Sequence, residues 1–343
     1  MRKSIAIIIT SILVLSGCNK QQSVSDRLLN EVEKAIAINP DSASNLLKGI
    51  SSPEKLDNKT FARWCMLSGK ITDEIFNSIL PTYQLERAYD WYSSHGSPDE
   101  QVQILIYLGR SYFADGDYDK AMSIYTNALD IAEKNKLNNL TGYTYSYIGD
   151  LYGEKFIRTE AIKRYKAAAE CFKKENNTDS YACALRDVGR EYACIDSLSR
   201  ALKILTIADS VARNTKNIEV TASIDNALGN IYAMQNKYDK AEEYFLKALV
   251  GRETMPDYMA LIDLYIASGA INKAQELLSK ILQDNPKYTY SIKYLYYQIY
   301  NEEKNYKEAL TNLKEYVEIT DSIIYADNQS KILNIESKYN HLK

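Results

Sequence analysis

Residues 107–129 read YLGRSYFADGDYDKAMSIYTNAL. Two runs with apolar residues at helical spacing flank a turn at residues 115–117, and Gly109 stands inside the first run. Glycine in the interior of a helix costs about 1 kcal/mol relative to alanine, so its presence needs a structural reason. Nothing in the stretch is chemically reactive. It is therefore either a complete small site or one unit of a larger repeated structure.

Glycine recurs along the chain at a spacing of 40 residues, which decides between these two interpretations. The positions are Gly69, Gly109, Gly149, Gly189 and Gly229. Around the last four, an apolar residue precedes the glycine, a tyrosine follows it by three, and a second run carries two alanines around a ring or a leucine. In residues 107–129 these are Leu108, Tyr112, Ala121, Tyr125 and Ala128. The spacing predicts two antiparallel helices that cross at the glycine and the first alanine, with the rings filling the gaps beside the crossing.

These units resemble the tetratricopeptide repeat, whose usual period is about 34 residues. The resemblance implies an all-α, right-handed superhelical solenoid of stacked antiparallel helix pairs, with the first helix of each pair lining a concave face. It covers roughly residues 25–320 and is strongest over 102–250. A period of 40 predicts either helices longer than usual or longer loops, such as residues 135–139 and 176–179.

The predicted organisation follows from how far the repeat extends. It comprises a signal peptide at 1–17, a tether at 18–24, divergent N-terminal helix pairs at 25–101, tetratricopeptide-like repeats at 102–320 and a C-terminal capping helix at 321–343. A helix break near residues 320–322 separates the last two segments in this prediction.

The N-terminus has the features of an export signal. Arg2 and Lys3 precede an apolar run at residues 5–15, which is too short to span a membrane as a mature helix. The run ends in Leu-Ser-Gly-Cys, which resembles the lipobox of bacterial lipoproteins and implies a lipid on Cys18; the alternative is an ordinary signal peptide with a chance cysteine. No acidic residue follows in 19–22. By resemblance, this favours an outer-membrane lipoprotein facing the periplasm, with the inner membrane and the cell surface as alternatives.

The composition argues against several classes of function. Without residues 1–17, 42 basic residues become 40 against 45 acidic ones, a formal charge of −5, whereas nucleic-acid binding needs a basic face. Only two histidines are present, His95 and His341, and the chain has no glycine-rich phosphate loop. We therefore expect no enzyme activity, no cofactor, no metal and no nucleic-acid partner.

Four cysteines follow Cys18, and their spacing matches no zinc-binding pattern. They are Cys65, Cys171, Cys183 and Cys194. In an oxidising compartment, Cys171 and Cys183 could form a disulfide. The alternative is that all four are small buried side chains.

Candidate binding residues come from one position on the first helix of each repeat and from the position four residues earlier. The first set is Arg110, Asp150, Arg190 and Asn230, and the second includes Arg186 and Asn226. One interpretation has Arg186 and Arg190, with Asn226 and Asn230 beside them, holding a carboxylate. The other has Arg110, Asp150 and Arg190 in an internal ladder of charges. The family's carboxylate clamp for chaperone tails is not reproduced.

Tyrosine supplies most of the aromatic content, with 29 residues against 6 phenylalanines and 2 tryptophans. Tyr143 belongs to a group on the first helices that either fills the core or stacks on a peptide or glycan. Three hypotheses follow. The first is a lipid-anchored interaction scaffold that binds a peptide or protein partner in its concave groove. The others are the sensory ectodomain of a membrane-bound regulator, by resemblance of the C-terminal helix, and a carbohydrate-binding lipoprotein.

Overall fold

A computed structural model describes residues 24–75, 79–284 and 289–341. The signal peptide and Cys18 lie outside these ranges, so the lipidation prediction is not addressed by the fold. The described residues are α-helical apart from turns and one short 3-10 segment, Pro53–Lys55, and no strand is present among them. The all-α prediction is confirmed. The chain divides into two compact units, Met1–Glu175 and Asn176–Lys343.

The first unit contains helix pairs in which consecutive helices pack against each other. Its helices are α1 (24–36), α2 (Pro40–Lys48), α3 (Asn58–Ile75), α4 (Thr82–His95), α5 (Pro98–Ala114), α6 (Tyr118–Lys134), α7 (Asn138–Glu154) and α8 (Arg158–Lys174). The first helices of neighbouring pairs, α3, α5 and α7, also contact one another in that order.

The second unit repeats this arrangement. Its helices are α9 (Thr178–Cys194), α10 (Leu198–Ala212), α11 (Ile218–Met234), α12 (Tyr238–Gly251), α13 (Met255–Ala267), α14 (Ile271–Asp284), α15 (Thr289–Glu302) and α16 (Tyr306–His341). Here α9, α11, α13 and α15 are the first helices, and each contacts the next one in the series.

The long period comes from long helices, and the prediction of longer loops at 135–139 and 176–179 is wrong. Helices α6, α7, α8 and α9 each have 17 residues, and only three residues separate one from the next. The middle residue of each turn takes a left-handed conformation, with φ of 56° at Lys136 and 58° at Phe156. Residues 138 and 139 already belong to α7, and 178 and 179 to α9.

Each of the four regular glycines lies under a side chain from the second helix of its pair. A Cβ atom at Gly109 would overlap Cε1 of Tyr125, and one at Gly149 would lie 2.7 Å from Cε1 of Tyr165. Leu205 and Phe245 lie in the same way over Gly189 and Gly229. The side chain four residues after the alanine therefore sits directly on the glycine, whereas the sequence predicted it beside the crossing. Gly142 lies under Phe172 in the same manner, which the 40-residue pattern did not predict.

Two predicted boundaries differ from the structure. The boundary at 101/102 falls inside α5, because Ser97 and Glu100 form a capping box that starts the helix at Pro98. No break occurs near residues 320–322, since α16 runs from Tyr306 to His341. The hydroxyls of Thr320 and Ser322 donate to the carbonyls four residues earlier, at 2.8 Å each, which satisfies both side chains within the helix.

The cysteines Cys65, Cys171, Cys183 and Cys194 are free thiols. The disulfide considered between Cys171 and Cys183 is therefore not formed. The alternative of small buried side chains is confirmed for Cys65 alone, since Cys171 and Cys183 are half-buried and Cys194 is exposed. Among the residues that the structure describes, no group of three or more acidic, cysteine or histidine side chains could hold a metal ion. In the same ranges, no helix is both long and apolar enough to cross a bilayer.

We expect Gly149→Leu to lower the free energy of unfolding by at least about 1–3 kcal/mol, because the added side chain overpacks the contact with Tyr165. The matched control is Lys203→Leu, which places the same side chain on an exposed position of α10 and should change stability by less than about 0.5 kcal/mol. Urea unfolding followed by far-UV circular dichroism measures both. Equal stabilities would contradict the tight crossing.

Candidate functional site

Three first helices of the first unit enclose an open groove of about 470 Å³. We call it the first-helix groove. It is lined by Thr72 and Asp73 of α3, by Gln103, Ile106, Tyr107 and Arg110 of α5, and by Leu140, Tyr143 and Tyr147 of α7. On α5 and α7 the lining residues recur at spacings of three or four and so share one face of each helix, whereas Thr72 and Asp73 are consecutive on α3. Two of the predicted site residues, Arg110 and Tyr143, lie in this groove.

Arg110 is paired inside the groove. One of its guanidinium nitrogens forms a short ion pair with Asp73, and Tyr107 donates to the other oxygen of Asp73 at 3.0 Å. The guanidinium also lies 5.5 Å from the centre of the Tyr147 ring. The Arg110 side chain is 19% exposed, whereas that of Asp73 is 42% exposed. The cation is therefore neutralised, and the acidic partner is the more accessible of the two.

Aromatic side chains form the opposite wall. Tyr143 is 37% exposed and meets Phe172 edge to face at 4.9 Å, while Tyr147 stacks on Tyr125 at 5.6 Å. Burial raises the pKa of Tyr107 above its ordinary value, and the neighbouring Asp73 raises it further. Burial likewise raises the pKa of Tyr147. Both phenols stay protonated at neutral pH and can donate hydrogen bonds. The groove as a whole combines a neutralised charge pair with an aromatic wall.

Asp150, predicted in the same set as Arg110, makes its contact within its own helix pair. It accepts a hydrogen bond of 2.6 Å from the Tyr165 hydroxyl, the same ring that lies on Gly149. Arg110 and Asp150 are thus engaged by Asp73 and Tyr165. The charge ladder between Arg110, Asp150 and Arg190 stays a prediction.

In the second unit, Arg186 is bound to its neighbour in the sequence. Its Nε and one Nη donate to the two oxygens of Asp187 at 2.9 and 3.1 Å, and the other Nη donates to Ser223 at 3.0 Å. Arg190 approaches the same carboxylate at 3.8 Å and has a 65% exposed side chain. The planar fork of Arg186 is therefore already occupied, which the prediction of a carboxylate anchor did not foresee.

The predicted asparagines, Asn226 and Asn230, belong to a hydrogen-bond network around another carboxylate, which is buried. Asn226 donates to Asp257 at 2.9 Å, and Asn230 donates back to the Asn226 side chain at 2.9 Å. Asp257 is 1% exposed and also accepts hydrogen bonds of 2.9 Å from both Nε and Nη2 of Arg252. Arg186, Asn226 and Asn230 thus belong to hydrogen-bond networks within the unit. Their role in binding stays a prediction.

A third carboxylate of this unit, Asp225, occupies a position that is leucine in two earlier repeats and Tyr145 in the one between them. The residues 40 and 120 positions earlier are the buried Leu185 and Leu105, and Asp225 itself is 2% exposed. Arg213 binds it at 2.5 Å across the turn between α10 and α11. Burial raises the pKa of Asp225 from 3.8 to about 6, although Arg213 opposes this rise.

Sequence reasoning missed the acidic residues that bind the predicted cations. Asp73 and Asp187 carry these contacts, and neither stands at the two repeat positions from which the candidates were taken. Asp187 could have been suspected, because it is adjacent to Arg186 and three residues before Arg190. Asp73 could not, since it lies 37 residues before Arg110 in a divergent helix pair.

Comparison with known proteins supports the repeat. Two family models described as tetratricopeptide repeat match the sequence, one over residues 105–138 and one over 221–255. This chain is a tetratricopeptide repeat protein. A search of curated proteins found no match.

Several solved structures resemble this tetratricopeptide repeat protein at low sequence identity. A Rap protein complexed with competence and sporulation factor matches with a TM-score of 0.67 and 18% identity, over 89% of this chain and 88% of that one. A tetratricopeptide repeat protein from Parabacteroides merdae matches with a TM-score of 0.54 and 16% identity, over 75% of this chain and 93% of that one. NprR in complex with its cognate peptide NprX matches with a TM-score of 0.54 and 15% identity, over 87% of this chain and 92% of that one. At such identities, the likeness supports the helical repeat fold.

The two arginines of α9 provide a test of which contacts are structural. We expect Arg186→Ala to lower the free energy of unfolding by about 1.5–3 kcal/mol, because it leaves the half-buried Asp187 and the buried Ser223 without their donor. Arg190→Ala, which removes an exposed cation, should lower it by less than about 1 kcal/mol. Chemical unfolding measures both. If the two variants lose equal stability, Arg186 is not held by Asp187 in solution.

Proposed function

We propose that this protein is a lipid-anchored scaffold that binds a peptide or a segment of another protein in the first-helix groove, at the periplasmic face of the outer membrane. The general role of a protein–protein interaction scaffold is supported by the tetratricopeptide repeat family models and the helical repeat fold. The observation that carries the proposal of peptide binding is the groove itself, which is open, lined by three helices and partly aromatic.

The chemistry of the groove favours a chain with apolar or aromatic side chains and free amide groups. Arg110 is neutralised by Asp73, so it offers little attraction to a terminal carboxylate. Tyr143 and Leu140 offer apolar and aromatic surface, and Gln103 offers an amide that can donate and accept. Such a combination suits an extended peptide, whose backbone forms hydrogen bonds while one side chain rests on the tyrosine wall.

Two relatives in fold support this choice of ligand. NprR was solved with its cognate peptide NprX, and the Rap protein was solved with competence and sporulation factor. Their fold relationship to this chain extends over most of its length. The proposed ligand class is carried over from them, and its position in this chain comes from the groove.

We expect Tyr143→Ala to weaken peptide capture at least tenfold, because it removes the exposed aromatic surface of the groove. A photo-reactive amino acid at Gln103, in cells that produce the protein, would identify the captured segment. Titration of a synthetic peptide of that sequence would then give the affinity of each variant. Tyr306→Ala is the matched control, since Tyr306 is a 64% exposed tyrosine at the start of α16, outside the groove. Equal losses in both variants would contradict the site.

The lipid anchor has its own test. In the producing bacterium, the wild-type protein should take up a labelled fatty acid and fractionate with the outer membrane. We expect Cys18→Ser to abolish the labelling and to release the protein, because no other cysteine occupies a lipobox. Cys194→Ser, which changes another of the free cysteines, should behave like the wild type. Labelling that persists in Cys18→Ser would contradict the anchor.

The continuous α16 favours a second function, the sensory ectodomain of a membrane-bound regulator. It has 36 residues without interruption, far more than the second helices of the preceding pairs. In that case, the helix would connect the repeats to a further module. Mass spectrometry of the native protein tests this, because a mature C-terminus at Lys343 would contradict it.

A further inference from the structure

The second helix of each repeat carries a position that contacts the following helix pair, one residue after its first alanine. Glu242, which follows Ala241, accepts hydrogen bonds of 2.8 Å from Tyr265 and from Lys273, both in the next pair. Gln275, which follows Ala274, donates to Glu303 at 2.9 Å, again in the next pair. This position therefore marks the face on which the next pair docks.

A second position of the same face lies eight residues after the first alanine. It is occupied by Leu129 in α6, Leu249 in α12 and Leu282 in α14, each half-buried and packed against a hydrophobic core. In α8 it is the buried Ala169, and in α10 it is the half-buried Asp209. The two positions are seven residues apart, close to two turns of helix, so they share one side of it. Together they form the docking face.

In α16 the docking face is exposed. Its first alanine is Ala309, which is buried, and the two docking positions are Leu310 and Val317. Their side chains are 53% and 46% exposed. The last helix pair thus presents to solvent the face that the next pair covers elsewhere, and in α16 both docking positions are apolar. Terminal repeats ordinarily have a polar outer face for this reason.

The exposed face extends one step further along the helix. Ile324 lies seven residues after Val317 and is 52% exposed. With a rise of about 1.5 Å per residue, Leu310, Val317 and Ile324 form an apolar stripe about 21 Å long. Lys314 and Asp321 are exposed on the same side, between the apolar residues. A helix side of this length, with regularly spaced apolar residues, is suited to packing against another helix.

We propose that a second copy of this chain covers the stripe, with the two α16 helices packed antiparallel about a two-fold axis at Val317. In this arrangement, Leu310 meets Ile324 of the second copy, and Ile324 meets its Leu310. Lys314 then lies within reach of Asp321 of the second copy, and the symmetry forms this ion pair twice. An isologous interface requires such self-complementarity.

The charges decide between the two possible directions of packing. In a parallel pair, each Lys314 would lie next to Lys314 of the second copy, and each Asp321 next to its counterpart. Like charges facing each other across a helix interface disfavour that arrangement. Only the antiparallel arrangement places opposite charges together while keeping the three apolar residues in contact.

The first experiment measures the oligomeric state of the full chain carrying Cys18→Ser by light scattering over a range of concentrations. We expect a dimer, and we expect Val317→Glu to weaken it at least tenfold, since two carboxylates would meet at the axis. Val250→Glu is the matched control, because Val250 is 92% exposed on α12, away from the stripe. Circular dichroism checks that the variants stay folded. A wild-type chain that is monomeric at all concentrations overturns the proposal, as does a dimer insensitive to Val317→Glu.

The second experiment tests the direction by exchanging the charges. Lys314→Asp and Asp321→Lys should each weaken the dimer, and the double variant should restore it. Disulfide trapping adds a readout of position, in a background with Cys194→Ser. A mixture of Leu310→Cys and Ile324→Cys chains should give a mixed disulfide. Efficient cross-linking of Leu310→Cys to itself would indicate parallel helices and overturn the antiparallel arrangement.

Discussion

The contact between a glycine and a large side chain, repeated every 40 residues, sets the distance between the helices on which the rest of the structure depends. Tyr125, Tyr165, Leu205 and Phe245 each lie on a glycine of the first helix, closer than any Cβ atom would permit. Because protein interiors are packed as densely as crystals, even one added methyl group at the crossing must displace a neighbour. The loss of helix propensity at the glycine is offset by this burial. The groove and the docking face are both consequences of that spacing.

The sequence was sufficient to predict the repeat, because its period and its small residues are local features. It also placed Arg110 and Tyr143 on the helix face that lines the first-helix groove. It did not predict which charges pair, since Asp73 lies in a different helix pair from Arg110 and the residues between them follow no regular pattern. The continuity of α16 through residues 320–322 was also missed. Thr320 and Ser322 are weak helix formers, and only their hydrogen bonds to preceding carbonyls show that they continue the helix.

Several charged and amide side chains of the first helices bind one another. Arg186 is held by Asp187, Asn226 by Asp257, and Arg110 by Asp73. These contacts fix the side chains and the orientation of neighbouring helices, and they leave the groove of the first unit with tyrosine, leucine and amide surface. An arginine on a first helix is therefore a poor indicator of an anion site when an aspartate stands beside it or on an adjacent helix. The more informative signal is an exposed tyrosine such as Tyr143, whose ring is supported from behind by Phe172.

Asp225 gives the junction between α10 and α11 an unusual response to acid. Most carboxylates that bind a cation hold their protons less tightly when folded, so acid weakens their contacts. Asp225 does the opposite, because burial raises its pKa from 3.8 to about 6. Between these two values, the folded chain binds the proton more tightly than the unfolded chain, and the contribution of Asp225 to stability falls as the pH rises. Between pH 6 and pH 3.8, acidification therefore increases the contribution of Asp225 to the stability of the folded chain, although protonation removes the charge from its contact with Arg213. The junction between α10 and α11 thus contains a buried carboxylate whose charge at neutral pH lowers stability, and Arg213 offsets part of that effect.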